Sequence, residues 1–231
     1  VHPNGPLPRV VPAADLTAVT TRGLMDVMTA FTAILALPAS AADRVDALAV
    51  PTGQGEEWRL THAIDRWQAR PEINHLLVAN GNPREATYRE LTLPYLRDLG
   101  LSRLDGALLQ TGPAPHTGLQ AAWIADRVGE LGITSLGLTV SPYHLPRVYL
   151  TVLRALDERG LRIALVPDPV TVPPHTAVPE THATAYDLLP GEAARIVRYA
   201  DSGWLASLDD LKRYLRWLWS EHVALLTGHP G

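Results

Sequence analysis

The chain contains no cysteine. That excludes disulfides, thiolate metal ligands and a cysteine nucleophile. Lysine is almost missing too: Lys212 is the only one, the remaining basic residues being arginines, and Phe31 is the only phenylalanine. With abundant Ala, Leu and Pro, this balance fits the codon usage of a GC-rich genome rather than a surface adaptation. Long apolar runs are also lacking. The longest, Val27 to Pro38, falls short of the ~20 apolar residues needed to cross a bilayer, and no basic stretch followed by an apolar one opens the sequence. A soluble, cytoplasmic protein with no membrane partner is the expectation. A net charge of −4 without a basic cluster argues against a nucleic-acid partner. The sequence has no GxxxxGK[ST] loop, no HExxH and no GxSxG elbow. His175 and His182 have no convincing set of metal-ligand partners, so no metal site is expected.

The 231 residues, 46% hydrophobic and 19% charged, suffice for one α/β domain with a substantial core. The spacing predicts an amphipathic helix over 15–37, capped by Asp15 and stopped by Pro38. From there strands and helices alternate. Strands are expected at Asp46–Pro51, His75–Ala79, Gly106–Gln110, Thr134–Val140 and Arg162–Pro167. Helices are expected at about Trp58–Ala69, Ala86–Leu99, Thr117–Leu131 and His144–Arg159. Pro94 either kinks the second of these or delays its start, whereas Pro146 falls early in the last one, where a missing N–H is tolerated. This order implies a three-layer, doubly wound, Rossmann-like parallel sheet with helices on both faces and right-handed crossovers. After Pro167 comes a Pro-, Thr- and His-rich surface segment, 168–190, followed by helices over 192–200 and 208–226. Trp217 and Trp219 on the last helix read as packing residues, an exposed edge being a possible contact in a homo- or hetero-oligomer.

In such a sheet ligands bind at the carboxyl ends of the strands, and three loops there carry chemistry. Gly53-Gln54-Gly55 follows the first strand in the position of a dinucleotide fingerprint. Trp58 stands where the third glycine belongs, which argues for a tight turn beside another ligand. Glu56 and Glu57 can supply a general base or simply complement the helix dipole. Asn80 and Gly81, with Asn82, can line the same crevice or form a turn. His116-Thr117 opens a helix: Thr117 and Gln120 fit a capping box, and the same helix start, with His116 beside it, fits an anion cradle. The most specific stretch is Ser141-Pro142-Tyr143-His144-Leu145-Pro146-Arg147. Its His and Arg, three apart, share one face of a first helical turn. Arg147 offers a planar fork for phosphate, sulfate or carboxylate, and His144 a group for proton transfer near neutral pH.

The order of these loops resembles the YdcF-like family (SanA/ElyC, domain of unknown function 218). The likeness lies in Asp46 to Gly55, Arg59 at the start of the next helix, Asn80-Gly81, Thr117 and the Ser-x-Tyr-His-x-x-Arg loop at 141–147, and covers about Asp46 to Pro169. Here the first turn reads Pro51-Thr52-Gly53 and the second has one glycine instead of two. The resemblance implies a doubly wound α/β fold, S-adenosylmethionine as a possible cofactor or ligand, and cell-envelope maintenance as one family role. Without the envelope members' membrane anchor, a soluble enzyme of specialised metabolism is the stronger expectation. In it Arg147, Arg59 and Thr117 hold an anionic group, with Ser141, Tyr143, Asn80, Gly81, Gly53, Gly55 and Gln120 around it. His144 or His116 acts as acid, Glu57 or Glu56 acts as base, and an anionic leaving group departs. The alternative is a non-catalytic binder of S-adenosylmethionine or a nucleotide within a larger complex.

Overall fold

The computed structural model describes Leu16 and residues 19–229. Five strands, β1 (Ala47–Pro51), β2 (His75–Ala79), β3 (Ala107–Leu109), β4 (Ser135–Val140) and β5 (Ala164–Pro169), form one sheet in the order β3-β2-β1-β4-β5. Every pairing is parallel. β1 and β4 are buried along their whole length, as expected for central strands covered on both faces. That is why β1 reads as a continuous apolar run, while β4 carries Ser135 and Thr139 buried among its apolar residues.

The helices between the strands are α2 (Glu57–Ala69), α3 (Leu93–Asp98), α4 (Thr117–Leu131) and α5 (Leu145–Asp157). The chain first walks outward from β1 to β2 to β3, then crosses back to β4 and on to β5. Right-handed crossovers put α2 and α3 on one face and α4 and α5 on the other. The direction of winding reverses between β1 and β4, which opens a crevice beyond their carboxyl ends.

α1 (Thr21–Leu35) packs against α5 and the later helices, and α6 (Ala185–Asp201), α7 (Leu208–Glu221) and α8 (Val223–Thr227) complete the α5 side. Several boundaries differ from the expectation, each for a local reason. The first helix starts at Thr21 rather than at 15, because the Thr20 hydroxyl accepts from Gly23 N (3.0 Å) and caps it; Asp15 lies outside the described residues. The 86–99 helix shrinks to 93–98, with Thr92 as its cap and Pro94 in the first turn. The segment 168–190 is not wholly a surface segment. β5 runs through Asp168, which is fully buried, and α6 begins at Ala185 behind a capping box of Thr184 and Asp187, with Pro190 inside the helix. The final helix breaks at His222 into α7 and α8. Trp217 packs on the core, while Trp219 is 45% exposed.

Between β5 and α6 the chain returns over the carboxyl end of the sheet. Val178, Ala183 and Leu188 bury with Tyr143 in a small apolar cluster of their own. This strap tethers the Ser141–Arg147 loop to α6.

Candidate functional site

The first wall of the crevice is the loop after β1. Gly53, Gln54 and Gly55 have φ of 142°, 58° and 69°, so the loop turns sharply through a region open mainly to glycine. It is clamped from two sides. Gln54 N donates to Glu85 Oε2 (2.5 Å), and Glu180 N donates to Gln54 O (3.1 Å). The Glu180 carboxylate accepts from Ala86 N, Thr87 N and Thr87 Oγ1, at 3.0, 2.9 and 2.7 Å. Burial, with the nearby Glu180 charge adding to it, raises the Glu85 carboxyl above its ordinary range.

A buried knot joins this loop to the one after β4. Ser141 Oγ donates to Glu56 Oε1 (2.9 Å) and accepts from Trp58 Nε1 (3.0 Å) and Arg59 Nε (3.2 Å). Arg59 also pairs with Glu56. Trp58, in the third-glycine position, thus spends its indole N–H on tying β1 to β4 across the switch point. The Ser141 hydroxyl is used in full, with one bond given and two accepted.

The second knot lies at the start of α5. Arg147 donates through Nε to Glu192 Oε2 (2.6 Å) and through Nη1 to Thr117 Oγ1 (3.1 Å). Arg195 Nη1 reaches Glu192 Oε1 (2.7 Å). His144 Nδ1 lies 3.1 Å from both Glu192 Oε2 and Arg147 Nη2. It can donate to the first or accept from the second, but not both; the first tautomer leaves Nε2 an acceptor, the second a donor. Nε2 has no hydrogen-bond partner among the described residues, and His144 lines the cleft. Burial, reinforced by the Arg147 charge, pushes the His144 imidazole down to about 3. Burial alone would raise the Glu192 carboxyl, but Arg147, then His144 and Arg195, hold it well below the usual carboxylate range. At neutral pH the cluster is therefore a neutral imidazole beside a carboxylate and two guanidinium groups.

Both knots border one cleft of about 840 Å³. It runs from the carboxyl ends of the strands along the groove between α5 and α6, past the start of α4. Seven arginines line it (Arg59, Arg84, Arg147, Arg154, Arg159, Arg195 and Arg198) against three glutamates (Glu85, Glu158 and Glu192). Arg84 and Arg198 make no ion pair among the described residues, and Glu192 serves two arginines. A chain of net charge −4 thus gathers positive charge in this cleft, where low-dielectric walls focus it. The start of α4 adds to this. His116 is its N-cap but makes no side-chain capping bond, and the first turn carries no acidic residue. Thr117 N and Gly118 N have no acceptor among the described residues, which leaves the helix end as a set of free donors.

The expected site residues therefore separate. His144, His116, Arg147, Arg59, Thr117, Gln120 and Gly53 line the large cleft, so the two histidines share one crevice. Thr117 does not cap α4 through its hydroxyl, which instead accepts from Arg147, and Gln120 is no capping-box partner. Its amide donates to Thr52 O (2.7 Å) and Asn80 O (2.8 Å), holding the ends of β1 and β2 together. Glu57, Gly55 and Gly81 border a smaller pocket of about 40 Å³, where Tyr95 Oη donates to Glu57 (3.0 Å). Glu57 is thus separated from His144, and Glu56 is consumed by Arg59 and Ser141. Ser141, Tyr143 and Asn80 stand behind the cleft wall. Tyr143, its hydroxyl pushed up to about 12 chiefly by burial, is 3.4 Å from Gln54 Oε1, and the Asn80 side chain accepts from Gly81 N (2.8 Å). Glu192 and Glu85 do not stand out in the sequence. The one signal for Glu192 is an acidic residue inside an otherwise apolar helix face, directly after Pro190-Gly191.

Among the described residues no helix is long and apolar enough to cross a membrane, and no group of three or more His, Asp or Glu side chains is placed to hold a metal ion. The chain matches no known family pattern and no curated protein.

Proposed function

We propose that this protein is an enzyme that binds a small molecule through an anionic group in the arginine-lined cleft and promotes departure of that group. The observation that carries the reading is the His144–Glu192 pair opening onto the cleft at the sheet's switch point, with seven arginines around it. Glu192 orients the ring through Nδ1, which leaves Nε2 to take a proton from the substrate. In elimination, Nε2 removes a proton from the carbon beside the one bearing the leaving group. The C–H pair becomes the new double bond, and the C–O pair leaves on the phosphate, sulfate or carboxylate oxygen. In intramolecular substitution, a neighbouring amine or hydroxyl attacks that carbon and gives its proton to Nε2. In both, charge builds on the departing anion, where Arg84, the spare Arg147 proton and the α4 amides stabilise it. The Ser141–Arg147 loop also carries the likeness to the YdcF-like family, and a role in specialised metabolism belongs to the same proposal.

A second reading has its own observation. Arg147 spends most of its protons on Glu192, Thr117 and His144, and an imidazole held at about 3 is a weak base in the empty cleft. Both fit a protein that binds S-adenosylmethionine or a nucleotide without converting it.

Thermal shift against phosphate, sulfate and carboxylate metabolites, nucleotides and S-adenosylmethionine, followed by turnover assays of the ligands found, tests both. The enzyme reading expects a ligand that the protein consumes, with His144→Asn lowering kcat by about 100-fold or more and Arg84→Ala weakening binding. Unchanged turnover in His144→Asn would remove the histidine from the chemistry. A tight ligand never consumed leaves the binder.

A further inference from the structure

The cleft is longer than one anion requires, and its two helical walls repeat their charge. On α5, Arg147, Thr151, Arg154 and Glu158 all line it, one helical face at three- and four-residue spacing. On α6, Glu192, Arg195, Tyr199 and Ser202 do the same. Arg154 follows Arg147 by seven residues, a rise of about 10.5 Å, and Arg198 follows Glu192 by six, about 9 Å. Since Arg147 touches Glu192, both walls start at the same place and both bring a second guanidinium forward by about 10 Å. Between the two charged ends the lining from α4 and α5 is uncharged, with Leu119, Ala122 and Thr151, and on α6 the intervening Arg195 is already paired with Glu192. Beyond the second end stands Trp204, 48% exposed, its ring 5.3 Å from that of Tyr199.

We infer that the ligand is a two-ended anion. One anionic group sits at Arg147 and the α4 start, an uncharged linker crosses the middle, and a second anionic group lies about 10 Å away at Arg198 and Arg154. This deepens the proposed function and rests on its anion-binding reading. Arg198 is the stronger member of the second subsite: it makes no ion pair among the described residues, and its guanidinium lies 5.1 Å from the Tyr199 ring centroid. Arg154 is shared with Glu158 (2.9 Å).

Straight-chain diol bisphosphates, from ethanediol to decanediol, test the spacing by calorimetry, with the matching alkyl monophosphates as references. Affinity is expected to peak at an intermediate chain length and to exceed that of the monophosphate by about tenfold or more. Arg198→Ala is expected to remove most of that advantage; the residue is exposed on α6, so the fold does not depend on it. Bisphosphates that bind no better than monophosphates at every length overturn the two-ended ligand and leave the proposed function standing. If neither series nor inorganic phosphate binds, both readings fall. A length optimum that persists unchanged in Arg198→Ala overturns the assignment of the second subsite.

Discussion

His144→Asn isolates a strongly displaced titration in the cleft. The imidazole is held at about 3 in the folded protein, against about 6.5 in an unfolded chain. Between those values the unfolded chain binds a proton that the folded protein refuses. Stability therefore rises with pH across this window, is complete above about 6.5, and is lost as pH falls toward 3. One proton corresponds to about 1.4 kcal/mol per pH unit, so between pH 6 and pH 4 the residue accounts for roughly 2.5 kcal/mol. Asn is a suitable replacement: it does not titrate, it places an amide donor near the Nδ1 position facing Glu192, and it is a favoured helix N-cap, the place His144 holds on α5. Urea unfolding at pH 7, 6, 5 and 4 gives the slope for both proteins. The wild type is expected to lose about one proton's worth of stability per unit more than the variant over pH 6 to 4. Titrating groups away from His144 contribute to both proteins and cancel in the difference, and Glu192, held well below the usual carboxylate range by Arg147 first, stays ionised in the folded protein across the window. Parallel pH profiles would mean instead that His144 accepts its proton in the folded state as readily as in the unfolded chain.

Glu192→Gln keeps the shape but leaves the largely covered Arg147 and Arg195 without their shared counter-charge. A loss of about 3 kcal/mol or more is expected, read as a lower urea midpoint at unchanged m-value; a loss under about 1 kcal/mol would show that the guanidinium groups find water instead. Gly55→Ala places a Cβ 2.9 Å from both Pro179 Cβ and Thr87 Cβ at a φ of 69°. It is expected to cost more than about 1 kcal/mol and to loosen both clamps on the Gln54 loop, measured as faster amide exchange at Gln54 and Glu180.

The architecture was legible because its signals are local. Apolar runs bounded by Gly and Pro marked β1, β2 and β4, and three- and four-residue spacing marked α4 and α5, each within a few residues of its observed ends. Boundaries failed where a short polar side chain caps a helix later or earlier than the apolar pattern implies, as at Thr20, Thr92 and Thr184. The site was legible as far as the loops that carry it. What lay hidden was partnership at long range. Glu192 acts on residues 45 and 48 positions earlier, and Glu85 on a loop 31 positions earlier. Helix periodicity is silent about such pairs. The same holds for Ser141, whose hydroxyl braces the loop after β4 against Glu56 in the loop after β1, and for Asn80, whose side-chain oxygen accepts from Gly81 N in a local turn. A polar residue at a strand's carboxyl end has two uses, binding and bracing, and only the third dimension separates them.

The empty cleft and the working cleft need not share one proton affinity, and that bears on whether His144 can be a base at all. Burial lowers the imidazole first and the Arg147 charge lowers it further. A bound anion cannot restore bulk water, but it does oppose the second cause. One negative charge about 6 Å from the ring, at an effective dielectric of about 20, favours the imidazolium by nearly 3 kcal/mol, or about two pKa units. That raises the ring from about 3 toward the range where general acid–base catalysis works. Glu192, anchored by Arg195 as well as by Arg147, keeps its place during the change, so the ring gains basicity without losing orientation. The cleft's positive charge thus has two consequences with one origin. It draws the anion in, and it holds the basicity of the histidine down until the anion has arrived. A ligand whose charge sits only at the far subsite, about 10 Å away, supplies less than the nearer charge does and leaves His144 a weak base. Binding without turnover and binding with turnover then differ by where on the ligand the nearer anionic group lies.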